Sequence, residues 1–174
     1  MVYERFVLEH PSTKTIIQST EMSEDQRQAY LERFSQDTDE TLVGFAVLGG
    51  IFGEGIDLKG EQLTGVAIVG VGLPGMGIER DLIRDHYERK SRLGFEFAYQ
   101  YPGINRVLQA AGRVIRSESD QGVILLIDRR YHQHRYRQML PDNWNPRPIN
   151  HQTNLEEKIR SFWEGDVRGG FLEG

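Results

Sequence analysis

Three uninterrupted apolar runs, Thr41–Leu48, Gly65–Val71 and Gly122–Asp128, set the frame of this sequence. A strand with one face in solvent alternates apolar and polar residues, whereas a strand covered on both faces reads as a continuous run. The three runs therefore predict strands inside a parallel sheet, and Thr15–Ser19 adds a shorter one. The intervals carry helix signals. Ser23-Glu-Asp-Gln26 spells a capping box ahead of Tyr30, Leu31 and Phe34, which fall on one side of a helix running to about Ser35. A charged helix is expected over Glu79–Arg92, and another from Pro102-Gly103 through Arg116. A Tyr/His/Arg helix follows over Arg130–Leu140, then a Pro-rich connector (Pro141–Pro148) and a short amphipathic helix over Leu155–Trp163. Strands alternating with helices predict an α/β three-layer sandwich with a mainly parallel sheet, whose ligands lie beyond the carboxyl ends of the strands. The glycine-rich segment Gly49–Asp57, which follows a predicted strand, is thus a candidate site.

The length of 174 residues suits a single core. The absence of cysteine excludes a thiol nucleophile, a Cys-ligated zinc and an Fe–S cluster held by this chain. No apolar run reaches the roughly 18 residues of a membrane span, and the first ten residues lack a basic region followed by an apolar one. A soluble, cytoplasmic protein with no membrane partner is the expectation.

Net charge is −5, but its sign is unevenly spread. Residues 1–62 hold 5 basic and 12 acidic side chains, whereas residues 63–148 hold 13 and 9. From Arg106 to Arg137 there are seven Arg and no Lys, against Glu118, Asp120 and Asp128. Solubility alone gives no reason to choose Arg exclusively; a bidentate grip on phosphate or carboxylate does. An ordinary basic surface helix is the competing explanation.

On a helical wheel continued through Arg116, the polar residues Arg106, Gln109, Arg113 and Arg116 share an arc of about 80°, with Val107, Leu108, Ala111, Val114 and Ile115 on the opposite side. Gly112 in mid-helix would cost about 0.5–1 kcal/mol relative to Ala, which points to a close approach there. The segment Gln109-Ala-Ala-Gly-Arg113-Val-Ile-Arg116 has the pattern Q-x-x-G-R-x-x-R and resembles motif VI of superfamily 2 helicases. Gly50-Ile-Phe-Gly-Glu-Gly-Ile-Asp57 resembles motif V, and Val69-Gly-Val-Gly-Leu-Pro74 resembles the strand and Leu-Pro segment that follow it. With Gly122–Asp128, these occur in the order of the C-terminal motor lobe of DinG/XPD-type DNA helicases, over roughly residues 15–145.

That resemblance implies a RecA-like lobe of the P-loop NTPase type, paired with an N-terminal helicase lobe across bound ATP and Mg²⁺. Arg116 and Arg113 would be the arginine fingers, and Gln109 would position water or phosphate. Gly53, Glu54, Gly55 and Asp57 would couple the nucleotide cleft to DNA, with Asp57 near the ribose. The resemblance further implies DNA repair as the setting. A complete motor needs G-x-x-x-x-G-K-[ST] and an acidic box for Mg²⁺. Neither occurs in these residues, where Ile56-Asp57 stand in place of Lys-Ser/Thr, so the chain alone is expected not to hydrolyse ATP. Such helicases carry those features and their Fe–S cysteines in the first lobe. Met1–His10 stands where the opening strand of the second lobe is expected, so Met1 need not be the native start. The lobe is assigned to residues 1–148, with residues 149–174 a tail whose helix docks on it.

Arg80 and Arg84, with Tyr87 and Tyr101 able to stack on bases, are candidates for single-stranded DNA contact. Asp81, Asp85 and Glu88 interleave with them, which also fits an ordinary solvated face. Gly70-Val-Gly72-Leu-Pro-Gly75 spells the dinucleotide fingerprint G-x-G-x-x-G, but Pro74 and Gly77 delay the helix that should begin at once. His132-Gln-His134 lacks a third metal ligand, and no metal site is expected. A stand-alone, non-catalytic nucleic-acid- or protein-binding lobe is the alternative function.

Overall fold

A computed structural model of the chain describes residues 2–19, 21–34, 40–50, 63–115 and 120–165. The chain divides into two compact units, Met1–Asp128 and Arg129–Gly174.

The first unit begins with helix α1 (Val2–Glu9), strand β1 (Lys14–Ile17), helix α2 (Glu24–Glu32) and strand β2 (Leu42–Phe45). The capping box at the start of α2 is formed in full: Gln26 N–H donates to Ser23 Oγ (3.3 Å), and Ser23 N–H to Gln26 Oε1 (2.9 Å). These two bonds satisfy backbone donors that a helix start otherwise leaves orphaned. β1 and β2 pair in parallel, Lys14 opposite Leu42 and Ile17 opposite Phe45. Because successive strand residues face opposite ways, Gly44 and Phe45 show different sides of this ladder. α2 lies against Gly44 through Tyr30 and Phe34. α1 packs Tyr3 and Phe6 edge-on against Phe45, at ring separations of 5.2 and 5.5 Å. Helices cover both faces of the ladder, which is the three-layer arrangement that continuous apolar strands demand. The N-terminal segment thus forms a packing helix rather than a strand.

The second strand pair, β3 (Gly65–Val69) and β4 (Val123–Ile127), is also parallel and in register from Gly65↔Val123 to Val69↔Ile127. Between them run helix α3 (Ile78–Ser91), a π-helical turn (Glu96–Gln100) and helix α4 (Tyr101–Ala111). Together with the resemblance to a RecA-like lobe, the two parallel βαβ arrangements make this an α/β fold with mainly parallel pairing. Among the described residues the strands form two separate pairs rather than one continuous sheet. β3 alternates between exposed and more buried residues, so one of its faces is covered and the other is open among the described residues, where its sequence predicts cover on both: Val69 and Ile127, register partners, are 69% and 51% exposed.

α4 packs on β3 with Gly103, Ile104, Val107, Ala110 and Ala111 buried, an i, i+1, i+4, i+7, i+8 stripe. The helix ends at Ala111, five residues before the end that its periodicity predicts. Gly112 is its C-cap, with its N–H turned back to the Leu108 and Ala110 carbonyls. Gly112 is therefore an exit point and not a mid-helix approach site. Val114 N–H then bonds to the Ala111 carbonyl (3.0 Å) in a tightened last turn. Ile115, having left the helix, is 38% exposed instead of packed.

The second unit contains a 3₁₀ turn (Arg129–His132), the short helix α5 (His134–Arg137) and α6 (Leu155–Trp163). The single helix predicted over Arg130–Leu140 is broken at Gln133, whose backbone is extended (φ −80°, ψ 134°). The cause is phase. Tyr131 and Tyr136 are both buried, yet five residues on a continuous α-helix place them about 140° apart. α6 occupies the predicted span, with Asn154 capping it through Glu157 N–H (3.2 Å).

Burial pushes the Tyr30 phenol up to about 12. The folded state then holds this proton more tightly than the unfolded chain, whose tyrosines ionise near pH 10. The stability from Tyr30 is fully present below pH 10 and is lost as pH rises through about 12. Tyr30→Phe is expected to flatten the fall in unfolding free energy between pH 9 and pH 11 by about 1 kcal/mol. Urea denaturation at the two pH values checks this, and an unchanged fall would assign it to other groups.

Candidate functional site

The carboxyl ends of β2 and β3 open into the loops 46–50 and 70–77, and α4 passes beside both. Gly72 has φ +66°, and a β-carbon on it would lie 2.5 Å from the Gly103 carbonyl oxygen. Reciprocally, a β-carbon on Gly103 would lie 2.6 Å from the Val71 carbonyl oxygen. The loop leaving β3 and the first turn of α4 are in backbone contact because neither residue has a side chain. Pro74, just beyond, is buried. No helix starts until Ile78, so this loop does not continue directly into a helix as the dinucleotide fingerprint requires.

One turn into α4, the half-buried Arg106 reaches across this contact. Its guanidinium donates to the Gly72 carbonyl (3.5 Å) and lies against Gly49, where a β-carbon would sit 2.9 Å from Nε. Gly49 itself has φ +87°. From the end of β1, Gln18 Oε1 accepts the Val47 N–H (2.9 Å). Gln18 and Arg106 thereby fix the lead-in to the motif V-like segment. Neither stands out from the sequence as a site residue; the one signal was the place of Arg106 on the polar arc of its helix.

Gln109 is exposed near the end of α4, and Arg113 is half-buried in the turn after it. The backbone of Arg113 is held by its N–H on the Ala110 carbonyl (3.2 Å) and sits between fully buried Ala111 and Val114, 4% exposed. Three arginines of the first unit share this partial burial among its described residues: Arg80, Arg106 and Arg113. Arg80 donates to the Ala98 carbonyl (3.5 Å) and Arg106 to that of Gly72. Arg113 has neither a hydrogen-bond acceptor nor a carboxylate among the described residues. The planar fork of a partly buried guanidinium suits a carboxylate or a phosphate.

The helicase C-terminal domain model matches residues 1–147. The chain belongs to the helicase C-terminal domain family. Its match fits the C-terminal lobe of DinG/XPD-type helicases, and Gln109 and Arg113, at the end of α4 and in the turn after it, are the described residues of the segment that resembles motif VI. Arg116, Gly53, Glu54, Gly55 and Asp57, the other motif V and VI candidates, lie outside the described residues.

The DNA-contact candidates of this helicase lobe form a separate cluster. Arg84 is paired with Asp81 (3.0 Å) and Asp85 (3.1 Å), and the bond to Asp85, reinforced by Asp81, raises its pKa further. Tyr87 stacks on Phe97 at 3.9 Å with the rings 6° from parallel, so one face of Tyr87 is already covered. Tyr101 meets the same Phe97 edge-on at 5.2 Å and remains 37% exposed. Tyr101 opens α4 and Gln109 lies eight residues on, about 12 Å along the helix. Tyr101 and Gln109 are therefore at distinct places along one helix. Among the described residues no group of three or more His, Cys, Asp or Glu could hold a metal, and no helix is long and apolar enough to cross a membrane.

Gly72→Ala combines a strained φ with an overlap against backbone. It is expected to lower unfolding free energy by about 2–4 kcal/mol, read from denaturant midpoints. Gly75→Ala, where a β-carbon meets nothing within 4 Å, is the control and should stay within about 1 kcal/mol of the parent.

Proposed function

We propose that this helicase C-terminal domain is the second motor lobe of an ATP-dependent DNA helicase of superfamily 2. Its task is to complete an ATP site whose other half, with Walker A loop and acidic box, belongs to an N-terminal helicase lobe. The observation that carries this reading is Arg113, a half-buried guanidinium with a fixed backbone and no acceptor among the described residues.

In this reading Arg113 and Arg116 extend to the γ-phosphoryl oxygens of ATP held by the N-terminal lobe. They neutralise the negative charge on the phosphoryl group as it passes to water. Gln109 hydrogen-bonds the attacking water or a phosphate oxygen. Mg²⁺, carried by the other lobe, offsets charge on the phosphates. Gly53, Glu54, Gly55 and Asp57 relay the state of that cleft to single-stranded DNA, and the arrangement of Gln18 and Arg106 at Gly49 gives the relay a rigid base. When the lobes separate, the arginines leave the phosphates, which couples turnover to translocation.

The test is steady-state ATP turnover of the assembled two-lobe protein with single-stranded DNA. Arg113→Ala is expected to lower kcat by at least about 10²-fold. Arg113→Lys should recover little of the loss, because an ammonium does not reproduce the bidentate fork. Wild-type turnover in Arg113→Ala would remove Arg113 from the site. Turnover by the 174-residue chain alone, lost on the same substitution, would show that the phosphate site has been misplaced.

A further inference from the structure

The second unit carries a surface that the ATP site does not use. Tyr131, Tyr136 and Leu140 are 8%, 1% and 6% exposed and anchor the 3₁₀ turn and α5 from within. The two turns are locked by Gln133 N–H on the Arg130 carbonyl (2.9 Å), Tyr136 N–H on that of Gln133 (3.0 Å) and Leu140 N–H on that of Arg137 (3.1 Å). Around this frame Arg129, His132, His134, Arg135 and Arg137 all project into solvent.

Their chemistry differs from that of four exposed arginines elsewhere, which have carboxylate partners. Arg5 pairs with Glu9, Arg27 with Glu24, Arg84 with Asp81 and Arg160 with Glu156. By contrast, the sequence from Arg129 to Pro141 contains no Asp or Glu. Arg129 and Arg137 have no acceptor among the described residues, and Arg135 has only the Gln133 amide oxygen (3.0 Å) and the Tyr136 ring, 5.5 Å away. Closely spaced like charges repel, and a chain of net charge −5 does not need them for solubility. Such a surface is matched by a polyanion. Because both tyrosines of the segment are turned inward, it offers cations without exposed rings for base stacking.

We propose that Arg129, Arg135 and Arg137 form a contact site for the phosphodiester backbone of single-stranded nucleic acid, independent of base sequence and of base stacking. The choice of nucleic acid over an acidic protein rests on the reading of the chain as a DNA motor lobe. None of its three arginines belongs to the residues proposed above for the ATP site or for base stacking.

The test is fluorescence anisotropy of a labelled dT oligonucleotide titrated with the 174-residue chain over a series of NaCl concentrations. ATP and the N-terminal lobe are absent, so failure here is distinct from failure of the ATP-turnover test. The triple variant R129Q/R135Q/R137Q is expected to bind at least about 10-fold more weakly at low salt. Its plot of log affinity against log salt should be shallower by about 2, the contribution of three single-strand phosphate contacts. An abasic oligonucleotide of equal length should bind the parent chain within about twofold of dT, since phosphates and not bases are held. Gln133→Glu places a carboxylate among the arginines and gives the same readout should the triple variant not fold. Parent-like affinity and salt slope in the folded triple variant, or in Gln133→Glu, overturns the proposal, as does undetectable dT binding by the parent. Binding to poly-glutamate more tightly than to dT, lost in the triple variant, overturns it in favour of an acidic protein partner.

Discussion

Two glycines hold the first unit in register. Gly72 and Gly103 bring the loop after β3 and the first turn of α4 into backbone contact, closer than any side chain would permit. From that contact α4 takes its height above β3, and its buried stripe of Ile104, Val107 and Ala111 follows. Arg106 then fastens the loops after β2 and β3 to the same helix. The end of α4, where Gln109 and Arg113 sit, inherits its position from this arrangement rather than from contacts of its own. Apolar packing supplies most of the stability of such a lobe, but the steric demand at one point decides where the packed helix delivers its polar end.

The arginines differ in what answers them. Arg5, Arg27, Arg84 and Arg160 are answered by carboxylates about one turn away on their own helices, which is how a helix surface remains soluble at little energetic consequence. Arg80 and Arg106 are answered by main-chain carbonyls and act as ties. Arg113, and Arg129 and Arg137 in the second unit, have no acceptor among the described residues. Composition shows only an excess of Arg over Lys; the folded chain shows, for several arginines among the described residues, which group answers the charge.

Much of the fold is legible in the residues. Continuous apolar runs located β2, β3 and β4, the Ser23–Gln26 box located α2, and an amphipathic stretch set both ends of α6. What escaped detection depends on phase and termination. Periodicity carries the wheel of α4 past Ala111, because Val114 and Ile115 continue the apolar pattern, while the actual stop is made by backbone hydrogen bonds at Gly112. The break at Gln133 follows from two tyrosines five residues apart, a spacing whose meaning emerges only once both are known to be buried. Of the candidate site, the Q-x-x-G-R-x-x-R pattern was readable, and it led to the family. The supporting roles of Gln18 and Arg106 were not, since they depend on where two strands happen to end.

The π-helical turn ahead of α4 carries a consequence of another kind. Tyr101 N–H bonds to the Glu96 carbonyl five residues back rather than four, so the chain holds one residue more than an α-helix would over the same rise. The wide turn absorbs that surplus residue, so the stripe that meets β3 and the polar end that carries Gln109 keep the phase set by the backbone after it. Losing one residue between Glu96 and Gln100 would turn the π turn into an ordinary α turn and leave α4 in place. Losing one inside α4 would instead rotate Gln109 by about 100° away from its present direction.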